Sequence, residues 1–390
     1  MPGLLDATLK DSERIVDDLR AFVEIESPSD NKASTDRFAE FLLGFLPGRL
    51  DCRLNIVEQQ RFGNHVRMEV GPEETGRRPI VMLGHFDTVW PLGTLASMPF
   101  RVADGRAFGP GAFDMKSGLV LGIEALSTLQ TLKELHAPVV FLFTSDEEVG
   151  SPSSRALIES EAYRSRATLV LEPAAGRSLK TSRKGVGFFH VRVEGVAAHA
   201  GSNPELGVSA IEELARLVLD LQALNDPSTG TTVNVGVVSG GTRPNVVSAS
   251  AVAEVDLRVR TLVEAQRLEE IILGLQPHNP KTRLTVTGGI NRPPMERTSG
   301  VATMYEIAKR AGAAIGLDLT EASVGGGSDA NFVTPLGVPV MDGLGAVGDG
   351  AHAVNEHVLL ESLPVRSALI AGLIRELQSQ DEVGGETRGS

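Results

Sequence analysis

The feature that most constrains this chain is a recurring joint, in which a short apolar run of strand length stops at residues able to bind a proton or a cation. Ile80 to Leu83 runs into Gly84-His85, Val139 to Thr144 into Ser145-Asp146-Glu147-Glu148, and Leu169 to Leu171 into Glu172. Runs that are apolar throughout belong to strands buried on both faces, as in parallel sheets covered by helices. Helical spacing fills the intervals. Residues 11–26 place Ile15, Val16, Leu19, Phe22 and Val23 on one face, and 35–46 repeat the pattern after a Thr35 or Ser34 cap. Ser117 to Leu135 does so through Leu119, Ile123, Leu126 and Leu129. The alternation reads as an α/β domain with a mixed, mostly parallel sheet flanked by helices. Ligands of such sheets bind beyond the carboxyl ends of the strands, which is where His85, Glu147, Glu148 and Glu172 fall.

The middle of the chain follows a different rule. Gly187 to Glu194, Thr232 to Val238 and Ala249 to Arg260 alternate apolar and polar residues, as half-exposed strands do. A helix is expected over Glu205 to Leu224, with Asn203 as cap and Pro204 at its first position, and a second over about Leu262 to Leu275. This order, strand-helix-strand-strand-helix-strand, implies a smaller α+β domain of ferredoxin-like type inserted into the first. After about Arg292 the α/β style resumes: a helix over Gly300 to Ala311, strands near Leu317 and Pro339, and a closing helix over Leu360 to Gln378. The domains expected are therefore 1–182 with 292–390, and an insert over 183–291, in keeping with the two to three domains that 390 residues allow. The last eleven residues (QDEVGGETRGS) are polar and glycine-rich and read as a disordered tail.

Charge and cysteine content narrow the partners. With 50 acidic against 37 basic side chains the formal net charge is −13, which disfavours nucleic acid and anionic membranes as partners, since both are polyanions. A lone cysteine, Cys52, in what reads as an early strand, excludes an internal disulfide and a cysteine-based zinc cluster, fits a reducing compartment, and reads as a small buried hydrophobe. The first residues, Met1-Pro2-Gly3-Leu4-Leu5-Asp6, lack the pattern of a signal peptide. The longest uniform apolar run, Pro138 to Phe143, is far short of the roughly 18 residues a membrane span needs. A soluble, cytoplasmic protein is expected.

One constellation carries the chemistry. His85-Phe86-Asp87-Thr88 follows a strand, and Asp114 lies in a glycine-rich loop (GPGAFDMK) that feeds a helix. Asp146-Glu147-Glu148 and Glu172-Pro173 end two further strands, and His352 sits in Gly350-Ala351-His352-Ala353. Singly each is an ordinary loop side chain. Together, two imidazoles and several carboxylates at strand ends form a mixed nitrogen and oxygen set suited to Zn²⁺, Co²⁺ or Mn²⁺. Without cations so many acids would repel one another and raise their pKa values.

These motifs resemble a known family. HFDTVWP at 85–91, GPGAFDMKSG at 109–118, SDEEVGS at 145–151, LEP at 171–173, HAG at 199–201 and GGGSDAN at 325–331 are similar, in order and spacing, to the M20 metallopeptidases. The likeness is to their glutamate carboxypeptidase (carboxypeptidase G2-like) branch and runs from about residue 11 to 378. It implies a zinc-peptidase-like catalytic domain, an inserted lid and dimerisation domain, a homodimer, and two divalent metal ions per subunit, Zn²⁺ foremost. It assigns His85 and Glu172 to one metal, Glu148 and His352 to the other, and Asp114 as the bridge. Glu147 is then the general base for a metal-bridging hydroxide and protonates the departing amine. Asp87 would orient His85.

The same resemblance gives His199, otherwise an ordinary loop histidine, the task of reaching into the neighbouring subunit's site to stabilise the oxyanion. Asn245 in GTRPNVVSAS and Gly327 become substrate contacts. Arg292 in NRPP becomes the clamp on the substrate's free α-carboxylate, for which a planar guanidinium suits a bidentate pair. Arg258 reads as a strand-exposed charge, and Arg177, Arg183 and Lys184 as a solvated basic loop. The segment GVVSGGT lacks a phosphate-loop lysine, GGSDA around Ser328 lacks the last glycine of a nucleophile elbow, and no HExxH occurs. The expected activity is hydrolysis of an amide or peptide bond beside a free carboxylate, releasing a C-terminal amino acid from a small peptide or N-acyl amino acid. A deacylase or dipeptidase of the same family is the alternative within the enzyme class, and a non-catalytic binding protein on the same fold the remote one.

Overall fold

The computed structural model describes residues 2–72 and 76–380, so the tail from Asp381 onward lies outside the described residues. The chain divides into two compact units. Unit 1 comprises the described residues of Met1–Ser182, Arg297–Val324 and Ser328–Ser390; unit 2 comprises Arg183–Glu296 and Gly325–Gly327. Residues 292–296 and the Gly325–Gly327 turn group with unit 2: Met295 pairs with Arg183 through two backbone hydrogen bonds (3.0 and 3.1 Å), and Arg183 also reaches the turn's carbonyls.

Unit 1 is built on a six-stranded sheet. Its strands include β1 (Cys52–Val57), β2 (His65–Val70), β3 (Ile80–His85), β4 (Val139–Thr144) and β5 (Ala167–Val170), with the short strand Val340–Met341 at the far edge. The order is β1-β2-β4-β3-β5 and then Val340–Met341. β3 lies parallel to both β4 and β5, and β5 parallel to Val340–Met341, whereas β1 and β2 form an antiparallel margin. Every residue of β3, β4 and β5 is buried, as their apolar runs require. Because the three run the same way, their carboxyl ends open on one rim.

Helices cover the faces: α1 (Pro2–Lys10), α2 (Ser12–Val23), α3 (Lys32–Phe45) and α4 (Ser117–Thr131), with Ser299–Ala313 and Ser362–Ser379 from the C-terminal part. α4 is buried on nearly all sides, as an apolar helix between layers must be. α3 starts earlier than its periodicity indicated. Its cap is Asn31, not Ser34 or Thr35, and the Asn31 side chain accepts from Ser34 N at 3.1 Å. Phe22 of α2 meets Phe38, Phe41 and Phe45 of α3 edge-on at 5.2–5.4 Å, and Phe38 stacks on Phe86 at 4.9 Å. Phe86 stands between His85 and Asp87, so this cluster anchors the first motif of the candidate site. Each such ring pair contributes about 0.5–1.5 kcal/mol beyond its buried area. Cys52, expected to be buried, is only half-buried where it opens β1.

Unit 2 is an antiparallel sheet of β6 (Gly185–Glu194), β7 (Thr232–Gly240), β8 (Ser250–Val259) and β9 (Arg283–Arg292), in the order β7-β8-β6-β9. Helices α5 (Ala210–Gln222) and α6 (Leu262–Leu273) cover one face, and Val191, Val193, Leu214, Leu217, Leu257 and Leu268 lie in its core. α5 does not begin at Pro204. Pro204–Leu206 forms a separate single turn, and the helix starts at Ala210, where the Ser209 hydroxyl accepts from Glu212 N at 3.2 Å.

Candidate metal centre

The rim of unit 1 gathers acids and imidazoles from five separate segments. His85 is the last residue of β3, Glu147 and Glu148 form a turn just past β4, and Glu172 follows β5. Asp114 comes from the loop before α4, and His352 from a turn near the C-terminus. Two ligand sets result, His85–Asp114–Glu172 and Asp114–Glu148–His352, with Asp114 common to both. His85 Nε2 lies 3.3 Å from Asp114 Oδ1 and 3.5 Å from Glu172 Oε1. His352 Nε2 lies 3.4 Å from Asp114 Oδ2 and 3.3 Å from Glu148 Oε2. The two oxygens of one carboxylate therefore face two different imidazoles. Glu147 Oε2 approaches His85 Nε2 to 4.0 Å.

The backbone brings these atoms together at some conformational cost. Gly111, ahead of Asp114, has φ +72°, and a Cβ there would meet Thr88 Cγ2 at 2.5 Å, so the loop closes on the first motif only with glycine. His352 itself has φ +61°, an uncommon conformation for a non-glycine residue and one found preferentially at functional sites.

Asp87 has no solvent exposure and serves two motifs. His85 Nδ1 lies 3.0 Å from the backbone oxygen of Asp87 and 3.4 Å from its carboxylate. The carboxylate accepts from Glu147 N at 3.1 Å, Glu148 N at 3.2 Å and the Ser29 hydroxyl at 2.7 Å. It thus holds the Glu147–Glu148 turn by two backbone amides and is itself held by Ser29. Asp146 supports that turn from the other side, accepting from the backbone and hydroxyl of Ser153 at 2.6 Å each, while His65 stands 3.1 Å from both Ser145 Oγ and Ser153 Oγ. Neither Ser29 nor His65 carries a sequence signal, because each lies in a polar stretch far from the motif it meets.

The donor atoms fit divalent cations. His85 Nε2 and Glu148 Oε1, one atom on a residue of each set, are buried and make no hydrogen bond. Burial alone would push His85 down, but Asp114, Asp87 and Glu172 together raise its pKa well above the usual imidazole range. Asp114 and Glu148 push His352 up to about 10. Burial raises Glu148 to about 7, against the pull of His352. Asp114 resists its own burial and stays far below the usual carboxylate range because His352 and His85 surround it. Positive charge is what these groups demand, and three protein ligands per set would leave room for a further ligand on a bound cation, as at catalytic centres. Four carboxylates, those of Asp114, Glu147, Glu148 and Glu172, would balance two dications.

The remaining expected residues lie in unit 2 and form two separate groups. His199 and Asn245 are exposed and share a pair of facing turns, in which Ala200 N donates to Asn245 O at 3.0 Å and Val247 N to Ala198 O at 2.9 Å. His199 Nδ1 accepts from Gly201 N and Ser202 N, both at 3.1 Å, which leaves the ring proton on Nε2. Arg292 and Gly327 make the second group. Arg292 is buried, and a Cβ on Gly327 would meet its Cδ at 2.9 Å. Arg183, read above as part of a solvated loop, is also buried, and its Nη1 donates to Gly326 O at 3.1 Å and Gly327 O at 3.0 Å. Lys184 is half-buried and only Arg177 is exposed. Arg258 is not a free surface charge either, since it forms a bidentate pair with Asp256 (2.9 Å at both Nε and Nη2). Arg183 ends the short strand Ser178–Arg183, in which every second residue is buried, and that alternation turns it away from water.

Comparison with known proteins agrees with this architecture. The model of Peptidase family M20/M25/M40 matches residues 81–376. Carboxypeptidase G2 from Pseudomonas sp. (strain RS-16) is 33% identical over 317 residues, covering 77% of this chain and 74% of that protein. Acetylornithine deacetylase from Myxococcus xanthus is 28% identical over 357 residues, covering 85% and 90%. The crystal structure of aminopeptidase PepT from Bacillus cereus superimposes with a TM-score of 0.77 at 23% identity, covering 94% of this chain and 99% of that one. The chain belongs to peptidase family M20/M25/M40 and is a hydrolase of peptide or N-acyl amino acid bonds. No described helix is long and apolar enough to cross a membrane.

Proposed function

We propose that this protein is a dinuclear metal-dependent carboxypeptidase that cleaves an amide or peptide bond next to a free carboxylate and releases a C-terminal amino acid. The observation that carries the proposal is the sharing of Asp114 between two ligand sets. Two divalent cations, Zn²⁺ foremost, would supply Lewis acidity toward the scissile carbonyl and toward an attacking water. His85, Asp114 and Glu172 would hold one, and Asp114, Glu148 and His352 the other. Glu147 stands 4.0 Å from His85, next in sequence to Glu148, and belongs to neither set, so it can take the proton of the attacking water and return it to the departing amine. Asp87 keeps Glu147 in place through its backbone amide.

Unit 2 supplies recognition in this reading. The Nε2–H of His199 is a preset donor for a developing oxyanion, with Asn245 on the facing turn. Arg292, packed against Gly327, suits the substrate's α-carboxylate. A homodimer, with His199 serving the partner's site, is supported by β7, an edge strand among the described residues. Its Val237 and Val238 are exposed, as is Leu219 on neighbouring α5, and an open apolar edge of this kind invites pairing with a second copy. The likeness to an acetylornithine deacetylase over most of the chain favours N-acyl amino acid deacylation as the second reading.

The test is a hydrolysis screen of the metal-reconstituted protein on peptidyl and N-acyl amino acids ending in Glu, Asp, Ala, Leu or Phe, with metal content measured in parallel. Two equivalents per chain and chelator-sensitive release of the C-terminal residue, with Glu favoured, are expected. Less than one equivalent with no hydrolysis would sink the enzyme reading, and activity confined to N-acyl substrates would favour the deacylase.

A further inference from the structure

Glu356 belongs to none of the ligand sets, yet it has no exposed surface and its carboxylate is fully engaged. Oε2 accepts from Gly111 N at 2.9 Å and from the indole Nε1 of Trp90 at 2.8 Å. Oε1 accepts from Phe113 N at 2.9 Å and Asp114 N at 3.0 Å. Three of these four donors are backbone amides of the loop that carries Asp114. The fourth is the chain's single tryptophan, five residues beyond His85. Glu356 also closes the His352 turn, where its own amide donates to Ala353 O at 2.9 Å.

We infer that Glu356 is a positioning residue that fixes Asp114 between the two ligand sets and ties its loop to the segments bearing His85 and His352. The inference rests on the metal reading of the centre. Asp114 is the one residue that both sets share, so a displacement of its backbone moves both at once. A buried carboxylate is costly to keep, and a neutral residue could fill the space. Only an anion with two oxygens, however, satisfies three loop amides and an indole together, and a charged acceptor makes the stronger hydrogen bonds. Removing one oxygen leaves a buried loop N–H unpaired beside the shared ligand.

The experiment compares the full-length wild type with Glu356→Gln, Glu356→Asp and Trp90→Phe after metal removal, by Co²⁺ titration followed through the visible d–d absorption. Circular dichroism and thermal melts establish folding. Glu356→Gln keeps the shape but turns an NH₂ toward an N–H donor. It should weaken Co²⁺ binding in both sets by about 10- to 100-fold and alter the d–d band. Trp90→Phe removes one donor and leaves the loop amides paired, so a smaller loss of the same kind is expected. If Glu356→Gln does not fold, Glu356→Asp and Trp90→Phe carry the comparison. Variants that bind Co²⁺ within twofold of wild type and with an unchanged spectrum would overturn the inference, even if their melting temperatures fall. A wild type that takes up no Co²⁺ would overturn the metal reading itself.

Discussion

The two units meet their chemical tasks by opposite means. In unit 1 three of the five candidate ligands, His85, Glu148 and Glu172, stand at the ends of fully buried strands, and the Glu147–Glu148 turn is tied from behind by Asp87 and Asp146. In unit 2 His199 and Asn245 ride on exposed turns, and only Arg292 and Gly327 are packed. Ligand atoms must hold their spacing closely whether or not a cation is bound, which demands a rigid frame behind each one. A donor to an oxyanion needs less: a fixed tautomer and a reachable position. His199 has the first from two backbone amides on Nδ1. Chemistry should therefore fail sharply when unit 1 is altered, and recognition more gradually when unit 2 is.

The largest expected effect lies in unit 1. Glu147→Gln leaves both ligand sets intact and removes only the proton acceptor. Turnover should fall by about 10²- to 10⁴-fold while metal content, measured by mass spectrometry, stays at the wild-type value. Near-normal turnover would remove Glu147 as the base. Loss of metal would make it a ligand and redraw the boundary between the base and the two sets.

A smaller loss belongs to His199. His199→Ala should lower kcat by about 10²- to 10³-fold, the range for one oxyanion donor, with metal content untouched. The assignment across subunits makes a sharper demand. Mixed with Glu147→Gln subunits under exchange, the His199→Ala protein should regain part of its activity, because one site of each hybrid would combine an intact base with an intact donor. No recovery despite demonstrated exchange would confine His199 to its own chain or remove it from the reaction.

The unequal legibility of the two units has the same physical origin as their unequal rigidity. Uniformly apolar runs can only be buried strands, so β3, β4 and β5 and the acids at their ends were readable, and shared strand direction brought His85, Glu148 and Glu172 to one rim. Glu356 was not readable. It sits in a polar turn (HAVNEHV) with no period, and its meaning comes from amides far away in the sequence. Arg183 was misjudged because a basic run looks solvated until strand alternation turns one member inward. The start of α5 was misplaced for a local reason. Asn203-Pro204 is a sound helix opening, but the chain completes one turn, extends at Gly207 and is capped again by Ser209.

The gentlest probe of unit 2 is Gly327→Ala. Gly327 does not adopt the left-handed conformation, so the added Cβ acts through what it touches, Arg292 Cδ at 2.9 Å and Val186 Cγ2 at 3.0 Å. Val186 is buried in β6 and has little room to move, so the guanidinium stem of Arg292 must give way. Arg183 holds the turn by the carbonyls of Gly326 and Gly327, which keeps the backbone from retreating instead. If Arg292 clamps the substrate carboxylate, a shift of a few tenths of an ångström spoils a bidentate geometry without touching the metals. KM should then rise by about tenfold, equivalent to roughly 1.4 kcal/mol, with kcat and metal content nearly unchanged. An unchanged KM would assign the carboxylate to another residue. An equal fall in kcat would mean that this group acts in the chemistry as well, and the division of labour between the units would have to be redrawn.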